Sequence, residues 1–192
     1  MSQYISLLDL KELLSQRLAS NTPTLLAIDG CSASGKSHLA HELSLLYDCN
    51  LFHMDDFFLQ SHQRTPERLL EPGGNVDYER FHTEVILPLR EKKTFSYRIF
   101  DCQSMTFAKI NSVQPKLLNI IEGSYSHHPY FQQPYDITLF LEVDAEEQIK
   151  RILARNGEYF HKRFMEEWIP MENRYFEYYK IRETSQYLYC ES

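Results

Sequence analysis

The chain has 192 residues, of which 43% are apolar and 24% are charged, a composition typical of one folded domain. Its formal net charge is −7, from 20 basic and 27 acidic side chains, which argues against a nucleic-acid partner because polyanions select basic surfaces. Charges interrupt the apolar pattern of the first residues, and no apolar run is long enough to cross a bilayer. We therefore expect a cytoplasmic protein without a signal peptide or a membrane partner.

Helix and strand patterns alternate along the chain. Leucines at helical spacing predict a helix at 6–19 within a leading segment, 1–21. Apolar runs predict strands at 24–29, 50–55, 116–123, 136–144 and 186–190. Further helices are predicted at 36–47, 78–92, 145–155 and roughly 158–181. This alternation predicts an α/β fold with a parallel sheet covered by helices on both faces.

A glycine-rich stretch, GCSASGKS at residues 30–37, follows the first main strand and opens a helix. It fits the P-loop pattern G-x-x-x-x-G-K-[ST], in which backbone amides and the helix N-terminus hold phosphate oxygens. Lys36 can reach the β- and γ-phosphates, and the Ser37 hydroxyl can bind Mg²⁺. The expected cofactors are therefore ATP and Mg²⁺. The candidate nucleotide-binding residues are Gly30, Ser32, Ala33, Ser34, Gly35, Lys36, Ser37 and His38.

Two adjacent acids, in the stretch HMDDFFL at residues 53–59, end the second main strand. Asp55 is placed to take the proton from an acceptor hydroxyl as a phosphoryl group arrives. Asp56 would point the other way, to cap a turn or to lie near the water shell of the metal. Both acids could also be ordinary turn residues. His53 is expected to pack within the strand.

Five stretches occur in an order that resembles the uridine kinase family of P-loop kinases: DGCSASGKS, HMDDFFL, NVDYERF, IIEGSYSHHP and RILARNG. That family is related to phosphoribulokinase, type I pantothenate kinase and nicotinamide riboside kinase. The similarity covers roughly residues 22–165. It implies a P-loop NTPase fold with a five-stranded parallel core and an arginine-bearing lid at about 151–165. It also implies transfer of the ATP γ-phosphate to a hydroxyl, with Asp55 as the base.

The resemblance assigns further roles. It implies that Glu122, at the end of the third strand, holds Mg²⁺ together with Ser37. Asp77 matches a carboxylate that grips sugar hydroxyls, although it could equally cap the helix that it opens. Arg151 and Arg155 match lid arginines that close over the triphosphate and aid catalysis together with Lys36, or they form ordinary pairs on an exposed helix.

The acceptor region departs from the family pattern. Tyr97 fits a tyrosine that takes part in reading the pyrimidine edge, but Cys102 stands where the family has a histidine, and a thiol is a poor donor. Arg98 offers an alternative contact and could suit an acidic substrate. His127 and His128, beside a proline, are expected to be structural or exposed.

The most specific hypothesis is a single domain, 1–192, that acts as an ATP-dependent kinase on a small-molecule hydroxyl, most readily of a nucleoside such as uridine or cytidine. A non-nucleoside acceptor, such as a vitamin precursor or sugar, is the alternative that Cys102 favours. A nucleotide-binding regulator without an acceptor is a third, although the sequence lacks the N-K-x-D motif of guanine-specific switches. A homo-oligomer is compatible with each.

Overall fold

The computed structural model describes residues 2–190. Within them the strands, in chain order, are β1 (Gln3–Tyr4), β2 (Thr24–Gly30), β3 (Cys49–His53), β4 (Phe95–Asp101), β5 (Thr106–Val113), β6 (Leu118–Glu122), β7 (Ile137–Glu142) and β8 (Tyr187–Cys190). Six of them form one sheet in the order β1-β8-β7-β2-β6-β3, and every pair in it is parallel. The other two, β4 and β5, form a separate antiparallel hairpin.

The α-helices are α1 (Leu7–Ala19), α2 (Lys36–Leu46), α3 (Pro66–Leu70), α4 (Tyr78–Phe81), α5 (Leu87–Glu91), α6 (Ala145–Arg163), α7 (Ile169–Tyr179) and α8 (Ile181–Thr184). A π-helical turn, His82–Ile86, joins α4 to α5, and another, Phe164–Trp168, joins α6 to α7. Within residues 2–190 no helix is long and apolar enough to cross a membrane.

Two hydrophobic cores lie on opposite faces of the sheet. Successive residues of a strand point to opposite faces, so Ile120 and Ile121 of β6 belong to different cores. The Ile120 core includes Leu14 of α1 and Leu43 of α2. The Ile121 core includes Phe176 of α7 and, from the segment of α4 and α5, residues such as Phe81 and Val85. The predicted α/β fold with helices on both faces is confirmed.

The sheet order decides where a site can form. β2 lies between β7 and β6, and β3 lies beyond β6. Because these strands are parallel, the loops after β2, β3 and β6 leave the same edge of the sheet. In register, Glu122 of β6 pairs with Ile28 of β2 and with His53 of β3. The P-loop and the two predicted acidic residues, Asp55 after β3 and Glu122 at the end of β6, therefore lie at the same, carboxyl-terminal end of the parallel strands.

The strand count differs from the expectation. The parallel sheet has six strands instead of five because β1 pairs with β8 at its edge, and two residues carry too little periodicity for sequence analysis to detect. The β4–β5 hairpin was also not predicted. Its longer strand, β5, leaves most of its residues exposed or half-buried, so it lacks a continuous apolar stripe.

The C-terminal helices are more continuous than predicted. α6 runs from Ala145 to Arg163, where a break was expected after residue 155. In place of the expected break, α6 has a kink at Gly157, whose φ of 73° and ψ of 174° fall in a region that essentially only glycine adopts. The predicted lid segment, 151–165, thus spans a kink within one helical element.

Candidate active site

The P-loop connects β2 to α2. Gly30 has a φ of 136°, and a Cβ atom there would lie 2.2 Å from the carbonyl oxygen of Leu141, so only glycine fits. Gly35 is the N-cap of α2, and Lys36 begins the helix. His38 is exposed in the first turn. The loop therefore has the strand–turn–helix context that phosphate binding requires.

Lys36 lies at the centre of this loop. Its side chain is buried, and its Nζ donates hydrogen bonds of 2.8 Å to the carbonyl oxygens of Gly30 and Cys31. An ammonium group has three donors, so one more can serve a phosphate oxygen. Ser34 is also buried, and within residues 2–190 its hydroxyl has no hydrogen-bond partner. A buried cation beside a buried hydroxyl suits an anionic ligand.

The predicted metal residues meet directly. The Ser37 hydroxyl donates a 3.1 Å hydrogen bond to Oε2 of Glu122, which is 5% exposed at the end of β6. A hydroxyl and a carboxylate are the hard oxygen donors that Mg²⁺ prefers. The pair therefore fits a magnesium ion that is also bound by phosphate oxygens and water.

His53 completes this arrangement. Its Nδ1 lies 2.5 Å from Oε1 of Glu122, while its side chain stays half-exposed instead of packing within the strand as expected. The hydrogen bond to Glu122 raises the pKa of His53, and burial opposes that rise. His53 is thus in contact with the predicted metal ligand, and only its position beside the paired aspartates could have pointed to it in the sequence.

Asp55 lies in a 3₁₀ turn directly after β3. Its side chain is exposed in the space between the P-loop and the loops after β3 and β6, which we call the cleft. Loss of contact with water nevertheless raises the pKa of Asp55, and the negative charge of Glu122 adds to that rise. Lys36 and Arg155 act in the opposite direction. The turn that holds Asp55 directly follows β3, which pairs with the strand that ends at Glu122, and the charges of both Glu122 and Lys36 act on Asp55.

Asp56 faces a different part of the cleft. Its backbone carbonyl accepts a 2.9 Å hydrogen bond from Arg80, and its carboxylate interacts with the Tyr97 hydroxyl. Tyr97 is buried, stacks on Phe57 with ring centres 5.6 Å apart, and accepts a hydrogen bond from Asn111. Tyr97 thus forms part of the wall behind the cleft, and its predicted contact with a substrate stays a prediction.

Arg98 forms an ion pair with Glu84. Its Nε and NH2 atoms lie 2.9 and 2.5 Å from Oε1 of Glu84, and its guanidinium lies over the ring of Phe107. Sequence analysis suggested that Arg98 could suit an acidic substrate, but Glu84 already offsets its positive charge. The role of Arg98 in substrate binding therefore stays a prediction.

Asp77 is the N-cap of α4. Its Oδ1 accepts a 3.1 Å hydrogen bond from the backbone N–H of Arg80, and its Oδ2 lies 3.4 Å from Nε of the same arginine. The carboxylate is 3% exposed. The capping role is confirmed, and the predicted contact with sugar hydroxyls stays a prediction.

The tip of the β4–β5 hairpin borders the same cleft. Cys102 is exposed there, and NH2 of Arg64 lies 3.8 Å from its Sγ. Burial raises the pKa of the Cys102 thiol, the charge of Arg64 lowers it, and the charges of Asp101 and Asp55 add smaller upward contributions. Arg64 lies just before α3, belongs to no motif and was missed in the sequence analysis.

The predicted lid arginines differ in position. Arg151 pairs with Glu147 at 2.9 Å, and its NH1 donates a 3.4 Å hydrogen bond to the carbonyl of Ala33 in the P-loop. Arg155 is exposed, and its Nε bonds to Asn156. Arg155 nevertheless acts on Asp55 through its charge. Arg151 thus contacts the P-loop directly, whereas Arg155 acts on the site through its charge.

The paired histidines are structural, as expected. The backbone N–H of His127 donates to the buried Asp29, beneath the P-loop, at 2.9 Å. His128 is 4% exposed and stacks on Tyr78, with ring centres 4.2 Å apart, and on Tyr175. Burial lowers the pKa of His128 to about 4, so the ring is neutral near pH 7.

Known structures share this architecture. A possible uridine kinase from Bacillus stearothermophilus superposes with a TM-score of 0.70 at 20% identity, covering 96% of this chain and 100% of that one. A candidate fructose transport system kinase from Silicibacter sp. TM1040 gives a TM-score of 0.66 at 21% identity, covering 93% and 98%. The chain shares the fold of these two structures, a parallel sheet flanked by helices with a P-loop after β2. No protein-family model and no curated protein matches the sequence.

Proposed function

We propose that this protein is an ATP-dependent kinase that transfers the γ-phosphate to a hydroxyl of a small molecule, most readily of a nucleoside such as uridine or cytidine. The observation that carries the proposal is the meeting of three loops at one sheet edge. The Ser37 hydroxyl bonds to Glu122, and Asp55 lies within the electrostatic influence of both Glu122 and Lys36. A P-loop that took no part in a reaction would not require the exposed carboxylate of Asp55 at that point.

The residues of this site suit the steps of phosphoryl transfer. The P-loop amides and Lys36 would hold the phosphates, while Ser37 and Glu122 would hold Mg²⁺, which neutralises charge on the phosphates. Asp55 would orient the acceptor hydroxyl and accept its proton. The raised pKa of Asp55 makes its carboxylate a stronger base than an ordinary aspartate. Arg151 and Arg155 would offset the negative charge that develops during transfer.

The choice of acceptor is a separate part of the proposal. The resemblance to uridine kinases and the name of one structural neighbour favour a nucleoside. The pairing of Arg64 with Cys102 favours a second candidate, a sugar or vitamin precursor, because it replaces the expected histidine at the hairpin tip. The name of the second neighbour, a fructose transport system kinase, is in keeping with a sugar.

The test is ADP release from Mg·ATP over a panel of acceptors: uridine, cytidine, other nucleosides, pantothenate, nicotinamide riboside and simple sugars. A strong response to uridine or cytidine supports the nucleoside kinase. A response only to another acceptor keeps the kinase and replaces the substrate. ATP binding with no response to any acceptor would count against the proposal and favour a nucleotide-binding regulator.

A further inference from the structure

A glutamate of α7 reaches the P-loop from the opposite end of the sequence. Glu172 accepts hydrogen bonds from the backbone N–H of Ser32 at 3.0 Å and from the Ser32 hydroxyl at 2.6 Å. It also accepts one from the Ser124 hydroxyl at 2.8 Å. The side chain is buried, with 5% exposure. None of the sequence motifs includes Glu172.

The buried carboxylate of Glu172 is unfavourable beside a phosphate-binding loop for two reasons. Its negative charge repels the phosphates that the loop is built to hold, and burying a carboxylate costs free energy of its own. Burial raises the pKa of Glu172, whereas Lys36 and the hydrogen bonds from the two serines lower it. All three hydrogen bonds are donated to the carboxylate, so they are fully made when it is ionised. The pKa of Glu172 is raised on balance, so the hydrogen bonds from Ser32 and Ser124 hold the carboxylate in place and only partly offset the cost of its burial.

The carboxylate ties two loops together. Ser32 belongs to the P-loop, and Ser124 lies two residues after the predicted metal ligand Glu122. Ser124 has one hydroxyl proton, and its 2.8 Å contact with Glu172 is shorter than its 3.2 Å contact with the carbonyl of Gly30. Glu172 therefore sets the spacing between the loop that would hold the phosphates and the loop that would hold the metal.

The helix before the kink holds the same turn of the P-loop. Nε2 of Gln148 on α6 donates a 2.9 Å hydrogen bond to the carbonyl of Ser32, and Arg151 donates to the carbonyl of Ala33. Ala33 has a φ of 60°, which is uncommon for a residue other than glycine. The P-loop turn is thus held from both sides of the kink at Gly157, by α6 before it and by α7 after it.

We propose that Glu172 is a positioning residue for phosphoryl transfer: it fixes Ser32 and Ser124 and so aligns the phosphate loop with the metal-binding loop. The inference rests on the proposed function, because alignment matters only if nucleotide binds between these loops. It also predicts that the helices on either side of Gly157 and the P-loop move together.

The decisive variants are Glu172→Ala, which removes all three contacts, and Glu172→Gln, which keeps an oxygen for the Ser32 N–H and an amide that can pair with a serine hydroxyl. Glu177→Gln, an exposed change on the same helix, is the control. For each we would measure the ATP dissociation constant, KM for ATP, kcat and the melting temperature. If Glu172→Ala does not fold, Ser124→Ala removes one contact and leaves the carboxylate in place.

We expect Glu172→Ala to lower kcat at least about tenfold and to raise KM for ATP, because small displacements of reacting groups slow transfer strongly. Glu172→Gln should recover most of kcat, Ser124→Ala should lower kcat by about threefold through partial misalignment, and Glu177→Gln should match the wild type. A folded Glu172→Ala with unchanged kcat would overturn the proposal, since a purely structural role alters only the melting temperature. Tighter ATP binding without loss of kcat would also overturn it and identify the carboxylate as a competitor of phosphate. If the wild type itself binds no ATP, the proposed function fails first.

Discussion

The two ends of the cleft are built in different ways. The proposed phosphate end is one contiguous stretch, Gly30 to Ser37, whose backbone amides and single lysine would bind the phosphates. The proposed acceptor end would combine side chains from separate elements, among them Arg64 in a loop and Cys102 at the hairpin tip. The phosphate end therefore has a recognisable sequence pattern, whereas the acceptor end is defined only once the chain has folded.

This difference follows from what each end must recognise. A triphosphate presents the same oxygens to every P-loop protein, so one local backbone shape can serve many of them. Acceptors differ, and in the proposed site specificity would come from a few side chains placed on a loop and the β4–β5 hairpin. We expect substitutions at the phosphate end to abolish phosphoryl transfer to every acceptor. Substitutions at the acceptor end should instead change which acceptor is preferred.

The largest effect is expected at Lys36. Lys36→Ala removes the buried ammonium that would hold the β- and γ-phosphates, so transfer should fall by about 100- to 1,000-fold with every acceptor. Steady-state kinetics with two acceptors checks this. Lys150→Ala is the control, because that lysine is 78% exposed on α6. A loss confined to one acceptor would contradict the separation of the two ends.

The next effect concerns stability, through the packing around His128. His128 packs on Tyr78 and against Gly73, and its pKa is about 4 in the folded protein compared with about 6.5 when unfolded. The ring is neutral in both states above pH 6.5. As the pH falls below that value the unfolded chain binds the proton first, so stability present near neutrality is lost.

Between pH 7 and pH 5 the free energy of unfolding of the wild type should therefore fall by about 2 kcal/mol through His128. The His128→Phe variant should not show this part of the decrease. Phenylalanine keeps a flat ring between the stacked tyrosines and cannot be protonated. Urea denaturation at both pH values measures the difference. The exposed His62→Gln should behave like the wild type. Equal pH dependence in His128→Phe and the wild type would show that His128 does not titrate as described.

A smaller effect is expected at the hairpin tip. Cys102→His supplies a ring donor where the uridine kinase pattern has one, so kcat/KM for uridine or cytidine should rise by about tenfold, the value of one added hydrogen bond. Cys102→Ala, which adds no donor, should show no gain. If the histidine variant gains nothing with pyrimidine nucleosides but the wild type uses a sugar, the acceptor end is built for another substrate.

Sequence analysis was most informative where the chemistry is local. The P-loop, the Ser37–Glu122 pair and the position of Asp55 at a strand end all follow from motifs on predicted strands. Glu172 could not be found in this way, because 140 residues separate it from Ser32 and the contact depends on how α7 packs over the sheet. Arg64 carries no periodic or motif signal either.

The unexpected strands have a similar explanation. β1 is specified by its pairing with β8, and the β4–β5 hairpin by packing of its buried residues, such as Tyr97, against the Phe57 core. Pairing between distant segments leaves little trace in local composition. Asp77 shows the opposite case, because its capping role is local and was anticipated.

The central claim is that Asp55 accepts the proton of an acceptor hydroxyl during transfer of the γ-phosphate. The most direct test follows the label from γ-labelled ATP in the wild type, in Asp55→Asn and in Asp48→Asn, whose aspartate is 87% exposed and remote from any predicted role. We predict label in the acceptor for the wild type and Asp48→Asn. Asp55→Asn should keep its affinity for ATP and lose transfer by at least about a hundredfold. Near-normal transfer in Asp55→Asn, or label released as inorganic phosphate at a rate that no acceptor changes, would contradict the claim.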